Sequence, residues 1–476
     1  MTIDIKSPGA FYDVRHSQRM TSSPAFASTK SAEPTRPHAP GVAPSPESSD
    51  APSARTVLAS PLRLRSGVVL PNRLAKAAMS EVLANGDGSP SERLIRLYER
   101  WGRGGAGLLV TGHVIVDRSG IGEPGNVVLE DERHLPALRR WAEAAQANGS
   151  RVFVQLNHAG RQSPRRVTPE PLAPSAVALR GFGGLFARPR ALLPAEVEQL
   201  VEKFATSAVL AKEAGFAGVQ IHAAHGYLIS QFLSPRVNLR DDAWGGDAKR
   251  RRAFLLAIVR RTRERVGSGF PIAVKLNSAD FQRGGFTFEE AMDVARALED
   301  EGIDLLEVSG GNYESPAMAG SGELPKATRA STREREAYFL EYAKGLRAVT
   351  TTPIVLTGGM RSADVMRDAI LSGAVDIIGM ARPLAFDPDL PRRILDGGHG
   401  ATPVKVHTGI RKVDDMLQIF WFQSQIHRMA NGLEPDPELG RFRALLAGVR
   451  DTIFAARAHA AAGAPTEDHG EARPGA

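Results

Sequence analysis

The chain of 476 residues contains no cysteine. That absence excludes disulfides, thiolate metal sites, cysteine-ligated iron–sulfur clusters and a cysteine nucleophile. No run of about eighteen apolar residues is present either, so no transmembrane helix is indicated. Residues 1–10 lack the charged start and apolar core of a secretory signal, and a cytoplasmic enzyme is the expectation. Aromatic residues are few, at 6%, but 42% of the chain is hydrophobic, enough for a substantial core.

Acidic residues fall short of basic ones, leaving a formal charge of +7. The first 55 residues carry six basic and five acidic groups and the last sixteen carry one and three, so the excess lies in the middle. It gathers in Lys249-Arg-Arg-Arg252 and Arg260-Arg-Thr-Arg-Glu-Arg265, beside Phe254, Leu255, Ile258 and Val259. This pattern predicts a solvated face of an amphipathic helix. No nucleic-acid motif accompanies it.

Residues 1–55 hold eight prolines and ten serines and are expected to be disordered, as is the tail 461–476. Between them, short apolar runs alternate with amphipathic segments. Strands are predicted over 74–79, 107–112, 152–156, 218–223, 272–277, 305–310, 354–359 and 376–381. Helices are predicted over 91–101, 135–148, 195–214, 250–266, 288–301, 334–348 and 363–371, several followed by glycine, as at Gly149, Gly215 and Gly267. Eight such units favour a closed (β/α)8 TIM barrel over 56–400, with an open doubly wound sheet as the competitor. An amphipathic segment at 413–429 predicts a helical extension over 401–460 that packs on the barrel.

A barrel does its chemistry at the carboxyl ends of its strands. The fourth ends in His222-Ala-Ala-His-Gly-Tyr227, bringing His222, His225 and Tyr227 to one small volume. These groups can hydrogen-bond a substrate oxygen and deliver a proton. His-x-x-His is also half of a zinc site, but no third ligand lies nearby in sequence, and no metal is expected. The fifth strand buries Lys275, which calls for an anionic partner. A flavin's pyrimidine edge is one choice, with Gln155 bonding the same edge; Asp280 or Glu307 is the other. Gly358 and Gly359 after strand seven and Arg382 after strand eight occupy the usual phosphate position of barrels. His113 and His158 also end strands and are assigned structural or supporting roles.

These strand ends resemble those of the old yellow enzymes, FMN-dependent NADH:flavin oxidoreductases. The similarity rests on Leu70-Pro-Asn-Arg-Leu74, Gln155-Leu-Asn-His-Ala-Gly-Arg161, Ala173-Pro-Ser-Ala176, the run from His222 to Leu255, Val308-Ser-Gly-Gly311, Thr357-Gly-Gly359 and Ala381-Arg-Pro-Leu384. It implies an FMN site in which Ala78, Met79 and Ser80 line the ring and Gly112 and Gln155 meet its pyrimidine side. Lys275 stands where the family more often has arginine, keeping the charge without the planar fork. Gly358, Gly359, Ala381 and Arg382 would hold the phosphate, with Ala381 replacing a more usual glycine. NADH or NADPH would be the electron donor, and an enone, enal or nitroalkene the substrate. His222 and His225 would bind its oxygen while Tyr227 protonates the carbon opposite the hydride from flavin N5.

Two alternatives stay open at this point. One is a flavin-dependent NAD(P)H oxidase or quinone reductase. The other is a flavin-free phosphate-binding barrel, an aldolase or isomerase with Lys275 as Schiff-base nucleophile. The small-molecule partner is therefore an electrophilic alkene or a quinone, with neither nucleic acid nor membrane expected and self-association left open. The long connection 157–193, with Phe182 and Phe186 among glycines, is a candidate lid or a plain surface loop.

Overall fold

The computed structural model describes residues 52–180, 182–310, 332–401 and 411–462. The segments expected to be disordered lie almost wholly outside these residues. Ala54–Leu58, at the edge of the first, forms a short helix capped by Ser53.

The strands β1 (Leu74–Lys76), β2 (Leu108–Ile115), β3 (Arg151–Asn157), β4 (Gly218–Ala223), β5 (Ile272–Asn277), β6 (Leu305–Ser309), β7 (Ile354–Thr357) and β8 (Ile377–Met380) are parallel neighbours in chain order. Ala75 of β1 pairs with Leu108 of β2, and Leu74 pairs with Ile378 of β8, so the sheet closes. The fold is the (β/α)8 barrel, and each strand falls where the sequence predicts one. Closure explains why the strands read as nearly continuous apolar runs: both faces are covered, one by helices and one by the lumen.

The outer layer comprises α1 (Glu92–Arg103), α2 (Leu135–Gln146), α3 (Pro194–Glu213), α4 (Ala253–Val266), α5 (Phe288–Asp300), α6 (Thr332–Arg347) and α7 (Ala363–Leu371). In α1 the buried Leu94, Leu97, Tyr98 and Trp101 recur at helical spacing, and Ser91 caps the start. The helix predicted over 250–266 is divided: Ala248–Arg251 is a separate turn capped by Asp247. There Arg251 departs from the expected solvated face. It is buried, donates from Nε to the Leu233 carbonyl at 3.1 Å and pairs with Glu290. An arginine at that depth is retained because both ends of its guanidinium are occupied.

After the barrel come α8 (Arg411–Ala430) and α9 (Arg441–Ala462). Arg96 of α1 donates to the Ala430 carbonyl at 2.9 Å, and Ile426 and Met429 join the main apolar core. His427 bridges the Glu81 carbonyl at 2.8 Å and the Asp451 carboxylate at 2.7 Å. Among the described residues, no helix is long and apolar enough to cross a membrane.

The lumen has two layers. The lower one is apolar and includes Ala75, Val110, Phe153, Ala273, Leu305 and Val355. Phe153 fills the space left by Gly218, where an added Cβ would lie 2.6 Å from the ring. The upper one is polar. Phe153→Ala is expected to lower stability by about 3–5 kcal/mol, as urea denaturation would measure, because the barrel wall cannot collapse onto the cavity. A loss below about 1 kcal/mol would show that the lumen repacks.

Candidate active site

The upper layer begins where β2 breaks register. Between Val110 and His113 its pairing with β3 slips, and beyond the slip His113 faces Gln155. Leu108 and Val110 belong to the lumen, so strict alternation would put Gly112 inside and His113 outside. The bulge reverses this parity: Val114 and Val116 join the outer core, and His113 turns inward.

A network behind the strand fixes the bulge. The Gly112 N–H donates to Glu81 Oε1 at 3.0 Å and also reaches Tyr98 Oη at 3.1 Å. Tyr98 itself donates to Glu81. Lys76 Nζ donates to the Val110 carbonyl at 2.8 Å and lies 4.4 Å from the Trp101 ring centroid. Burial lowers the pKa of this ammonium to about 8, opposed by Glu81. A Cβ on Gly112 would overlap the Glu81 carboxylate and the Met79 carbonyl.

Four rings converge on the inward side. His222 stacks on His113 with centroids 5.5 Å apart, meets His225 edge-on at 5.1 Å and Tyr227 at 5.0 Å. The Ala224 N–H donates to His222 Nδ1 at 3.2 Å, so the proton of the neutral ring sits on Nε2. His225 has the left-handed backbone φ of 61°, held by its N–H on Asn277 Oδ1 at 3.2 Å and its carbonyl under Gln162 Nε2 at 3.2 Å. Such a conformation is costly for a side-chain-bearing residue and persists only when its surroundings impose it. His225 Nε2 meets Ser309 Oγ at 2.7 Å. Tyr227 Oη meets His113 Nε2 at 3.1 Å.

Beneath the rings runs a buried polar belt. Lys275 Nζ lies 2.9 Å from Glu307 Oε1; Gln220 Nε2 donates to the other Glu307 oxygen at 2.7 Å, and Gln155 Nε2 to Gln220 Oε1 at 2.8 Å. Lys275 thus has the carboxylate partner that was one of its two sequence-level readings. This pairing disfavours the Schiff-base role, since the amine is engaged as an ammonium. Its charge also reaches the rings. His113 is lowered to about 4 by burial and then by Lys275. Burial also holds His222 and His225 well below the usual imidazole range, with Lys275 and the neighbouring imidazoles adding to it. The site is a cluster of neutral imidazoles.

Of the residues expected to hold a flavin, Gln155 and Lys275 belong to the buried belt and Gly112 to the bulge. Ala78, Met79 and Ser80 follow β1 and are partly exposed. Ser80 Oγ is bonded to Glu123, whose pKa is raised, chiefly by burial. Gln155 Oε1 is buried with no partner among the described residues, an acceptor suited to an imide N–H such as that of flavin. Gly358 and Gly359 follow β7 with φ of 111° and 79°, and Thr357 of β7 pairs with Gly379 of the adjacent β8. Ala381 caps the helix Arg382–Phe386, which opens with Arg382. The donor set fits FMN: an orphaned acceptor for the ring edge, and glycines with a cation at the phosphate end.

His158 is a framework residue. Its Nδ1 accepts from the Gly160 N–H at 3.1 Å, and burial lowers it to about 3. Arg161 is buried and reaches the carbonyls of Val177 and Ala178. In the connection it braces, Phe182 and Phe186 meet edge-to-face at 5.4 Å. Glu81 has no sequence signal of its own and acts on the Gly112 backbone; Asn157 and Ser309 lie inside quoted motifs, but their bonds to His113 and His225 appear only in the folded chain. Gly311 lies outside the described residues.

Residues 58–399 match the NADH:flavin oxidoreductase / NADH oxidase family. The chain is 37% identical to the NADH-dependent flavin oxidoreductase iliE of Hypocrea jecorina, over 70% of this chain and 88% of that one. It is 30% identical to the cinnamate reductase of Clostridium sporogenes, over 71% of this chain but only 53% of that longer protein. Among solved structures, the old yellow enzyme homologue from Zymomonas mobilis superposes with a TM-score of 0.62 at 26% identity, covering 75% of this chain and 98% of that one. A 2-naphthoyl-CoA reductase superposes at 0.70 with 27% identity, over 79% and 58% respectively.

Two outcomes follow from the geometry. Gly112→Ala should reduce flavin content of the purified protein several-fold, because the added methyl collides with the groups that hold the bulge; full occupancy would contradict this. In a histidine titration by NMR, His113, His222 and His225 should show no midpoint near the ordinary value of about 6.5. The unfolded chain binds these protons at higher pH than the folded one, so stability should fall as pH drops from about 6.5 towards 4. A midpoint near 6.5 for any of the three would overturn the assignment of neutral rings.

Proposed function

Since the chain belongs to the NADH:flavin oxidoreductase / NADH oxidase family, we propose that it reduces the C=C bond of alkenes activated by a carbonyl or nitro group. FMN is the cofactor, and when bound it supplies the hydride that NADH or NADPH has delivered. Ala78, Met79, Ser80, Gln155 and Lys275 would hold its ring, and Gly358, Gly359, Ala381 and Arg382 its phosphate. Gly112 contributes through its missing side chain, since its N–H is already taken by Glu81.

The observation that carries the reading is the His222 tautomer beside the Tyr227 hydroxyl. With Nδ1 occupied by Ala224, His222 presents an Nε2–H donor that has no partner among the described residues. Directed at the activating oxygen, it stabilises the enolate-like charge as that charge develops. His225 supplies the second contact, steadied by Ser309. Neutral rings suit this role because they donate without giving up the proton, which leaves Tyr227 as the acid for the α-carbon. The cinnamate reductase relative is named for a substrate with such a conjugated alkene.

The NADH oxidase of Thermoanaerobacter brockii, 36% identical over 69% of this chain, supports a second reading in which oxygen or a quinone is the acceptor. Tyr227 separates the two, because neither oxygen nor a quinone takes a proton on carbon. Tyr227→Phe should slow alkene reduction by the NADH-reduced enzyme about 100-fold, and quinone reduction far less. Equal loss with both acceptors would indicate misfolding, and no loss with the alkene would favour the second reading. If the double variant His222→Ala/His225→Ala still turns over a cyclic enone at the normal rate, the oxygen-binding role is wrong.

A further inference from the structure

We propose that His113 is a positioning residue for the acid: it donates its Nε2–H to Tyr227 Oη, orients the phenol and stabilises the phenolate formed on proton release. The proposal rests on Tyr227 being the acid of the reaction.

The bulge delivers His113 to the lumen, and its hydrogen bonds then define its proton. Asn157 Nδ2 lies 3.2 Å from His113 Nδ1. An amide nitrogen has only protons to offer, so Nδ1 accepts and the ring proton sits on Nε2. That atom lies 3.1 Å from Tyr227 Oη. The phenol oxygen therefore accepts from His113, and its own proton is directed elsewhere. The two rings meet at 69° with centroids 4.8 Å apart, which restricts rotation of the phenol. On the other side, His222 stacks against His113 and Lys275 lies close enough to act on its charge.

In the step itself, the Tyr227 O–H bond breaks and a C–H bond forms at the α-carbon of the alkene, once its β-carbon has taken up hydride. The electron pair of the O–H bond stays on the phenol oxygen. His113 Nε2–H keeps its hydrogen bond to that oxygen, now an anion and a stronger acceptor. Water later returns the proton. His113 stays neutral throughout. A hydrogen bond to the charged form favours it, so the bond lowers the pKa of Tyr227.

The test compares His113→Phe, which removes the donor, with His113→Gln, which restores an N–H, and with Tyr227→Phe. The tyrosinate absorbance of Tyr227 is isolated by difference against Tyr227→Phe. His113→Phe should raise its titration by about one pH unit and slow single-turnover reduction of a cyclic enone about ten-fold relative to a quinone measured in parallel. His113→Gln should recover most of both. An unchanged tyrosinate titration in folded, flavin-loaded His113→Phe would overturn the proposal, as would a Gln variant no better than Phe. If Tyr227→Phe itself leaves enone reduction intact, the underlying reading fails first, and the titration still reports on the hydrogen bond.

Discussion

The hold of Glu81 on the Gly112 amide is the constraint from which the active site follows. A parallel strand in a barrel alternates strictly between lumen and helix layer, and β2 obeys that rule up to Val110. The carboxylate takes the amide that would otherwise pair along the strand, and two residues then stand where the ladder slips. Such a bulge survives only if its displaced polar groups are satisfied. Tyr98 and Lys76 meet that condition from behind, and His427 fixes the Glu81 backbone from α8. A histidine that alternation would bury among helices comes instead to face Tyr227.

Electrostatics then follow from what lies beneath. Lys275, Glu307, Gln220 and Gln155 form a chain of opposite and complementary groups across neighbouring strands. The ion pair keeps a cation close to the rings without exposing it to them as a free charge. Desolvation and that cation act in the same direction on every imidazole, so the rings are neutral donors. The belt also ends in the Gln155 oxygen, which has no partner among the described residues. Lys275, whose departure from the family pattern put its geometry in question, is therefore part of a charge-balanced layer.

Much of this was legible in the sequence, because barrel strands announce themselves as apolar runs with polar groups at their carboxyl ends. His222, His225 and Tyr227 could be placed on one strand end by spacing alone, and the glycines and arginine after strands seven and eight by position. The role of His113 could not. Its placement depends on a register slip, and a slip is set by long-range bonds from Glu81 and Tyr98, not by local pattern. Arg251 was hidden for a similar reason: a basic run looks solvated until the Leu233 carbonyl and Glu290 close around one member of it. The split of the helix at Arg252 likewise leaves no trace in helical periodicity.

The proposed reaction adds hydride to one carbon of an activated alkene and a Tyr227-derived proton to its neighbour. Turnover of a cyclic enone with NADH in deuterated water, followed by NMR of the product, tests it directly. Deuterium should appear on the carbon next to the carbonyl, since that proton exchanges with solvent, while the β-carbon carries hydrogen from the nicotinamide. A product without deuterium at the α-carbon, or consumption of NADH without saturated product, would contradict the account.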